Sequence, residues 1–163
     1  MKNLSPVPGR GLPVRPTELG GSGVHPSPVY SIFYSRGMGE DEWDIYQTDE
    51  VAAWMDDLRR TDPEAADKVE AAVDVLAEYG PTLGRPLVDT LVGSKLSNLK
   101  ELRPRTTSIR VLFVFDPWRS AILLVAGDKA GQWRSWYERA IPQAEQLYAT
   151  YLEERAKAEE ASD

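Results

Sequence analysis

Cysteine is absent from the 163-residue chain, and histidine occurs once. Without cysteine there is no disulfide framework, thiol nucleophile or thiolate metal site. The lone His25 lies in a Pro/Gly-rich stretch, which leaves no imidazole cluster on which to build a zinc centre. Neither a metal nor another cofactor is expected. Long apolar runs are missing too. The longest, Ser120 to Gly127, is far too short to cross a bilayer, and the N-terminus has no apolar run resembling a secretory signal. The expectation is a soluble cytoplasmic protein with no membrane partner. Positive charge is scarce overall, the formal net charge being −7.

What is present suits one folded domain. Hydrophobic residues make up 42% of the chain, with five tryptophans, enough for a single sizeable core. The scarce cations are concentrated. Arg85 to Arg139 holds 10 Lys/Arg against 5 Asp/Glu, a net of +5, and the remainder carries −12. Within it, NLKELRPRTTSIRVLFVFDP (98–117) sets Lys100, Arg103, Arg105 and Arg110 against Glu101, beside a strongly apolar strand. A basic segment in an acidic chain is either a candidate anion-binding surface or a set of ordinary solvated strand edges and loops.

Along the chain, residues 1–37 read as a disordered tail. Six of the twelve prolines fall between Pro6 and Pro28, mixed with Gly20, Gly21 and Gly23, too little apolar surface to offset the entropy of ordering. Met38, just before the first patterned sequence, is a candidate natural start. The domain is placed at 38–155, followed by a charged C-terminal tail at 156–163. Trp43 to Gln47 alternates as a short strand. A helix is predicted over Asp49–Arg60, with Val51, Trp54, Met55 and Leu58 on one stripe and acids in its first turn. Thr61-Asp62-Pro63-Glu64 reads as a capping box opening a second helix that runs to Tyr79 and stops at Gly80-Pro81. Residues 81–98 read as mostly loop. Strands follow at Leu99–Arg103, Ile109–Phe115 and Ser120–Ala126, the last apolar on both faces as in a central strand. The final helix covers about Gln132–Ala158, with Pro142 kinking or dividing it. The fold class is α+β, a small antiparallel sheet of about four strands with an N-terminal helical hairpin on one face and a C-terminal helix nearby.

The ordered set Leu99-Lys100-Glu101-Leu102-Arg103, Ile109-Arg110-Val111-Leu112-Phe113 and Ile122 to Lys129 resembles the RelE/ParE toxin superfamily, most closely its phage-derived HigB-like branch. GPTLGRPLVDTLVGSKLSNLKELRP resembles actinobacterial members of that branch. The likeness covers Trp43 to Leu152. It implies the toxin of a type II toxin–antitoxin pair, a ribosome-dependent endoribonuclease cutting mRNA in the A site. The implied partners are the ribosome, mRNA and an antitoxin with a helix-turn-helix DNA-binding domain, operator DNA being reached only through the antitoxin. A ParE-like toxin that binds DNA gyrase without cutting RNA, or an inactive partner-binding copy, would share the fold.

Metal-independent RNA cleavage proceeds by attack of the 2′-hydroxyl on the adjacent phosphate. It needs a base, an acid for the leaving 5′-oxygen and positive charge for the phosphorane. With no imidazole in the patterned region, Lys, Arg, Tyr and carboxylates must supply these. Strand alternation sets Arg110, Leu112 and Val114 opposite Val111, Phe113 and Phe115. If the aromatic set packs on the helices, Arg110 takes the open face, where the resemblance places a phosphate-contacting arginine. Its bland alternative is pairing with Glu101 or Asp116. Lys100 and Arg103 are further catalytic candidates on opposite faces of their strand, and Lys129 another, though here Ala130-Gly131 follows where family members often carry a second lysine. Glu101 either orients a cation or transfers protons, and Tyr137 is a possible proton donor. Arg105 and Arg134 are rim cations for RNA. Trp133 is either a platform for an unpaired base or part of the apolar stripe it shares with Trp136 and Tyr137.

Overall fold

The computed structural model describes the backbone of residues 30–34 and residues 42–162, with side chains from 42 to 161. Strand β1 is Tyr30–Tyr34, β2 Asp44–Thr48, helix α1 Asp49–Thr61 and α2 Pro63–Tyr79. Strands β3 (Val88–Thr90), β4 (Lys100–Leu102), β5 (Ile109–Phe115) and β6 (Ser120–Asp128) follow, and helix α3 spans Trp133–Ser162. The sheet order is β1-β2-β6-β5-β4-β3. Neighbours are antiparallel except β2 and β6, which run parallel. The α+β class, the N-terminal hairpin and the C-terminal helix are as the sequence predicts. The sheet is wider, with β1 and β3 added at its two edges, and mixed, because β6 pairs parallel to β2 after the intervening hairpin and strands.

Three local expectations are corrected. Strand β1 lies within the stretch read as tail, while residues 1–29 and the candidate start Met38 lie outside the described residues. Helix α3 continues through 156–162, the stretch read as a charged tail, and of the two readings of Pro142 the division is the one that fails, since the residue lies inside one helix. The N-cap of α2 is Asp62, not Thr61: Asp62 Oδ1 accepts from Ala65 N at 3.2 Å with Pro63 in the first turn. Thr61 finishes α1 instead, its hydroxyl donating to the Asp57 carbonyl at 2.9 Å.

Capping also fixes the hairpin to the sheet. The Thr48 hydroxyl, fully buried, accepts from Val51 N at the start of α1 and donates to the Leu124 carbonyl at 3.0 Å. That carbonyl belongs to an irregularity: Leu112 pairs with Val125 but Phe113 pairs with Leu123, so β6 carries one extra residue. Thr48 therefore satisfies a group that the bulge takes out of the ladder. At the other end of the hairpin, Gly80 (φ 58°) closes α2 beneath the Trp43 indole, where a Cβ would come within 2.4 Å of Nε1. Only glycine fits both the conformation and the contact.

Two apolar layers result. Ile45, Val111, Phe113 and Leu123 pack with α1 and α2 around Met55, Val69, Val73 and Leu76. Tyr46, Leu112, Val114, Ile122 and Leu124 pack with α3 around Trp136, Ala140, Ala144, Tyr148 and Tyr151. Val111 and Phe113 do face the hairpin, as alternation predicts. The face of Arg110 is not open, however, because α3 lies across it.

Candidate functional site

At the β3–β4–β5 edge, on the α3 side of the sheet, a row of charges of alternating sign is assembled. The β3–β4 register sets Asp89 opposite Glu101, and the β4–β5 register sets Leu102 opposite Val111, which brings Arg103 and Arg110 to neighbouring positions at the ladder's end. Two carboxylates facing each other, and two arginines side by side, would each be unfavourable alone. Interleaved, they neutralise one another. Arg103 donates through Nε to Glu101 Oε2 at 2.7 Å and through Nη2 to Asp89 Oδ2 at 3.2 Å. Arg85 Nη2 reaches the same Asp89 oxygen at 3.0 Å from outside. Glu101 Oε1 accepts from the Tyr137 hydroxyl at 2.5 Å and lies 4.0 Å from Arg110 Nε.

Exposure divides these groups by task. The Glu101 side chain is 2% exposed, Arg110 15% and Arg103 35%. Glu101 is thus a buried hub whose charge is tolerated because donors surround it. Arg110 Nη1 donates to the Ile109 carbonyl at 2.8 Å and the Thr107 carbonyl at 3.4 Å. Its buried Nε has no hydrogen-bond partner among the described residues. A buried guanidinium N–H without an acceptor is a donor in want of an oxygen. Burial, and then the Glu101 carboxylate, push the Tyr137 phenol up to about 12, so it stays a proton donor at neutral pH. Against burial, which lowers it, Glu101 and then Asp89 hold the Arg103 guanidinium above its ordinary value.

The start of α3 closes one side. Trp136 is buried with its indole on Gly127, where a Cβ would lie 2.4 Å from Nε1, and Gly127 pairs with Arg110 across the β5–β6 ladder. Tyr137 meets Trp136 edge to face at 5.1 Å and Trp133 at 6.4 Å. Trp133 is 56% exposed with Arg134 over its ring at 5.8 Å, so it belongs to the rim and not to the core. Lys129 is pinned by its backbone N–H to the Ser108 carbonyl at 3.1 Å. The Ser108 hydroxyl and Ala130 N–H hold the neighbouring Asp128 carboxyl below the usual range.

Among the sequence candidates, Arg110, Arg103, Glu101 and Tyr137 are brought together. Lys129 stands beyond the end of β6, two residues from Gly127. Lys100 is not brought in: it pairs with Phe113 on the hairpin side and donates to the Thr90 hydroxyl at 2.8 Å. Arg105 is exposed in the β4–β5 turn. Asp89 stands outside the sequence candidates because β3 has only three residues. The signal available was its spacing: Asp89 follows Arg85 by four and is flanked by buried Val88.

The family described as phage-derived protein Gp49-like (DUF891) matches residues 56–149. The chain is 50% identical over 103 residues to the “Putative toxin HigB3” of Mycobacterium tuberculosis, an alignment covering 63% of this chain and 88% of that protein. It is 48% identical over 105 residues to the “Putative toxin HigB2” of the same organism, covering 63% of this chain and 51% of that protein. The matched span takes in every member of the charged row and Tyr137. The chain therefore belongs to the phage-derived Gp49-like family, in the HigB-like toxin branch of the RelE/ParE superfamily.

Proposed function

We propose that the chain is the toxin of a type II toxin–antitoxin pair and acts in the cytoplasm as a ribosome-dependent endoribonuclease. It cuts mRNA by metal-independent attack of a 2′-hydroxyl on the adjacent phosphate. The observation that carries this reading is the gathering of Arg110, whose Nε faces Glu101 at 4.0 Å without a hydrogen bond, with Glu101 and the neutral Tyr137 phenol. Turned outward from that enclosed position, the Arg110 guanidinium would bind a non-bridging phosphate oxygen and stabilise it by its fixed charge as the phosphorane forms. Tyr137 turns its hydroxyl proton from Glu101 Oε1 to the departing 5′-oxygen, the proton of the attacking 2′-hydroxyl passes to solvent water, and the phenolate is reprotonated from solvent. Glu101 is too enclosed to reach the nucleophile and acts by orienting Arg103, Arg110 and Tyr137. Arg103 and Lys129 add positive charge beside the scissile phosphate, and Trp133, with Arg134, offers a face for an unpaired base. Arg105 belongs to the rim toward ribosomal RNA, and Lys100, on the far side, is left out of the chemistry. A cognate antitoxin with a helix-turn-helix domain covers this surface in the resting pair and carries it to operator DNA.

The test is mRNA cleavage on translating ribosomes by the antitoxin-free protein, wild type against Arg110→Ala. The expectation is cuts within A-site codons that fall by 100-fold or more in the variant, on the order of one lost charged transition-state contact. Cuts that persist would keep the nuclease and move the phosphate site. No cutting by wild type would sink the nuclease and leave a gyrase-directed or inactive copy, which a supercoiling assay separates.

A further inference from the structure

Arg103 is shared between two carboxylates that differ in every other respect. Glu101 is enclosed and touches Tyr137 and Arg110, while Asp89 is 22% exposed, on the edge strand, and touches only arginines and its own turn. Arg103 sits between them with its Nε and Nη2 both turned to Glu101 Oε2 and Nη2 reaching on to Asp89. The second oxygen of Glu101 is left for Tyr137 and Arg110. An arginine beside a single carboxylate often takes both of its oxygens in a two-pronged pair. Here Arg103 takes one oxygen of Glu101 and finds its second carboxylate in Asp89.

We infer that Asp89 is a positioning residue of this site: it draws Arg103 toward the sheet edge and so reserves Glu101 Oε1 for Tyr137 and Arg110. Its catalytic consequence rests on the nuclease reading above. Asp89 touches no reacting group in this arrangement; it acts through Arg103. Without it, Arg103 closes on both Glu101 oxygens, Tyr137 loses its acceptor and swings out of line, and Arg110 is pushed from the carboxylate by a second cation.

The sign of the effect separates positioning from simple electrostatics. Asp89→Ala raises the positive charge of the site by one, which on its own would tighten RNA binding and leave turnover unchanged. The positioning role demands the opposite pattern, kcat down by about tenfold or more with KM not raised, since misplacement of about 1 Å carries losses of that size. Asp89→Glu, which keeps the carboxylate, should restore most of the rate. The experiment is ribosome-dependent cleavage kinetics for wild type, Asp89→Ala and Asp89→Glu, with the Arg103 Nε–H NMR signal followed in all three. Lower kcat, unchanged or lower KM, rescue by Glu and a displaced Arg103 signal in Asp89→Ala uphold the inference. An unchanged kcat, a loss not rescued by Glu, or an unmoved Arg103 signal overturns it. Should wild type cut nothing, the nuclease reading fails by itself, and the Arg103 signal still decides whether Asp89 sets the arrangement.

Discussion

Glu101 has two oxygens and serves three side chains, and this makes it the residue whose loss would be felt most. Glu101→Gln keeps its shape but puts an amide between two arginines, with N–H groups where acceptors are required. Removing one member of a buried charge set costs about 3–5 kcal/mol. Urea unfolding should show a loss near the lower end, because Arg103 at 35% exposure can turn to water. A loss below about 1 kcal/mol would mean the row is not the electrostatic unit described. The pairing of Arg110 with Glu101 was legible in the sequence as one of two alternatives, and strand alternation sets Lys100 and Arg103 on opposite faces, as observed. The closure of the site was not legible. It depends on Tyr137 and Trp136, whose place on a helical stripe gives their face but not the strand that face meets.

Among the described residues, hydrogen bonds to carboxylates fasten helix α3 at three places along its length. Tyr137 donates to Glu101, Glu145 Oε2 accepts from Lys95 N at 2.6 Å and the Ser94 hydroxyl at 2.8 Å, and Tyr151 donates to Asp116 Oδ2 at 2.5 Å. Asp116 is itself buried and accepts from Trp118 N and Ser120 N, so it ties the helix to the β5–β6 turn. Tyr151→Phe leaves that oxygen without its donor while preserving the ring, and should cost about 1–3 kcal/mol. Denaturant midpoints of wild type and variant give the difference, and no change would show that water replaces the phenol. At this scale the sequence was most informative for long, periodic elements: α1, α2 and β5 fall within a residue or two of their predicted bounds. It was least informative for β1 and β3, short segments without a period of their own. One clue pointed to the layer that alternation alone missed. Ser120–Ala126 is apolar on both faces, which requires cover on both, so the Arg110 face could not stay open.

Across the whole molecule the charge partition has a spatial meaning. The α1–α2 layer carries ten acids against three bases, while the cations cluster around the β4–β5 end and the start of α3. For the RNA substrate proposed above, this partition would repel from the hairpin layer and attract at the cationic end, orienting an encounter before contact. Alkaline stability is also a property of the whole fold. Burial first, then neighbouring carboxylates, push Tyr46 and Tyr137 up to about 12 and raise Tyr151 further. Unfolded phenols ionise near pH 10, so above that the unfolded state binds fewer protons than the folded one, and stability falls as pH rises. The fold should therefore lose stability between about pH 10 and 12, with denaturant midpoints dropping and the phenolates of Tyr46, Tyr137 and Tyr151 appearing together with unfolding. A residue-resolved phenolate signal from Tyr46, Tyr137 or Tyr151 near pH 10 in the still folded protein would refute the burial of these groups. Below pH 10 this contribution is fully present.

The parallel pairing of β2 with β6 has a consequence for the order in which the molecule can be made. Thr48 and the carbonyl it binds are separated by 76 positions in the chain. During synthesis the helical hairpin emerges whole, but its apolar side meets no finished sheet until β6 has been delivered, and the charged row stays uncovered until Tyr137 and the rest of α3 arrive. Local helices form early and distant strand pairing waits. The surface proposed to act on the ribosome is thus assembled after the hairpin, once β6 and the start of α3 have followed it out of the ribosome.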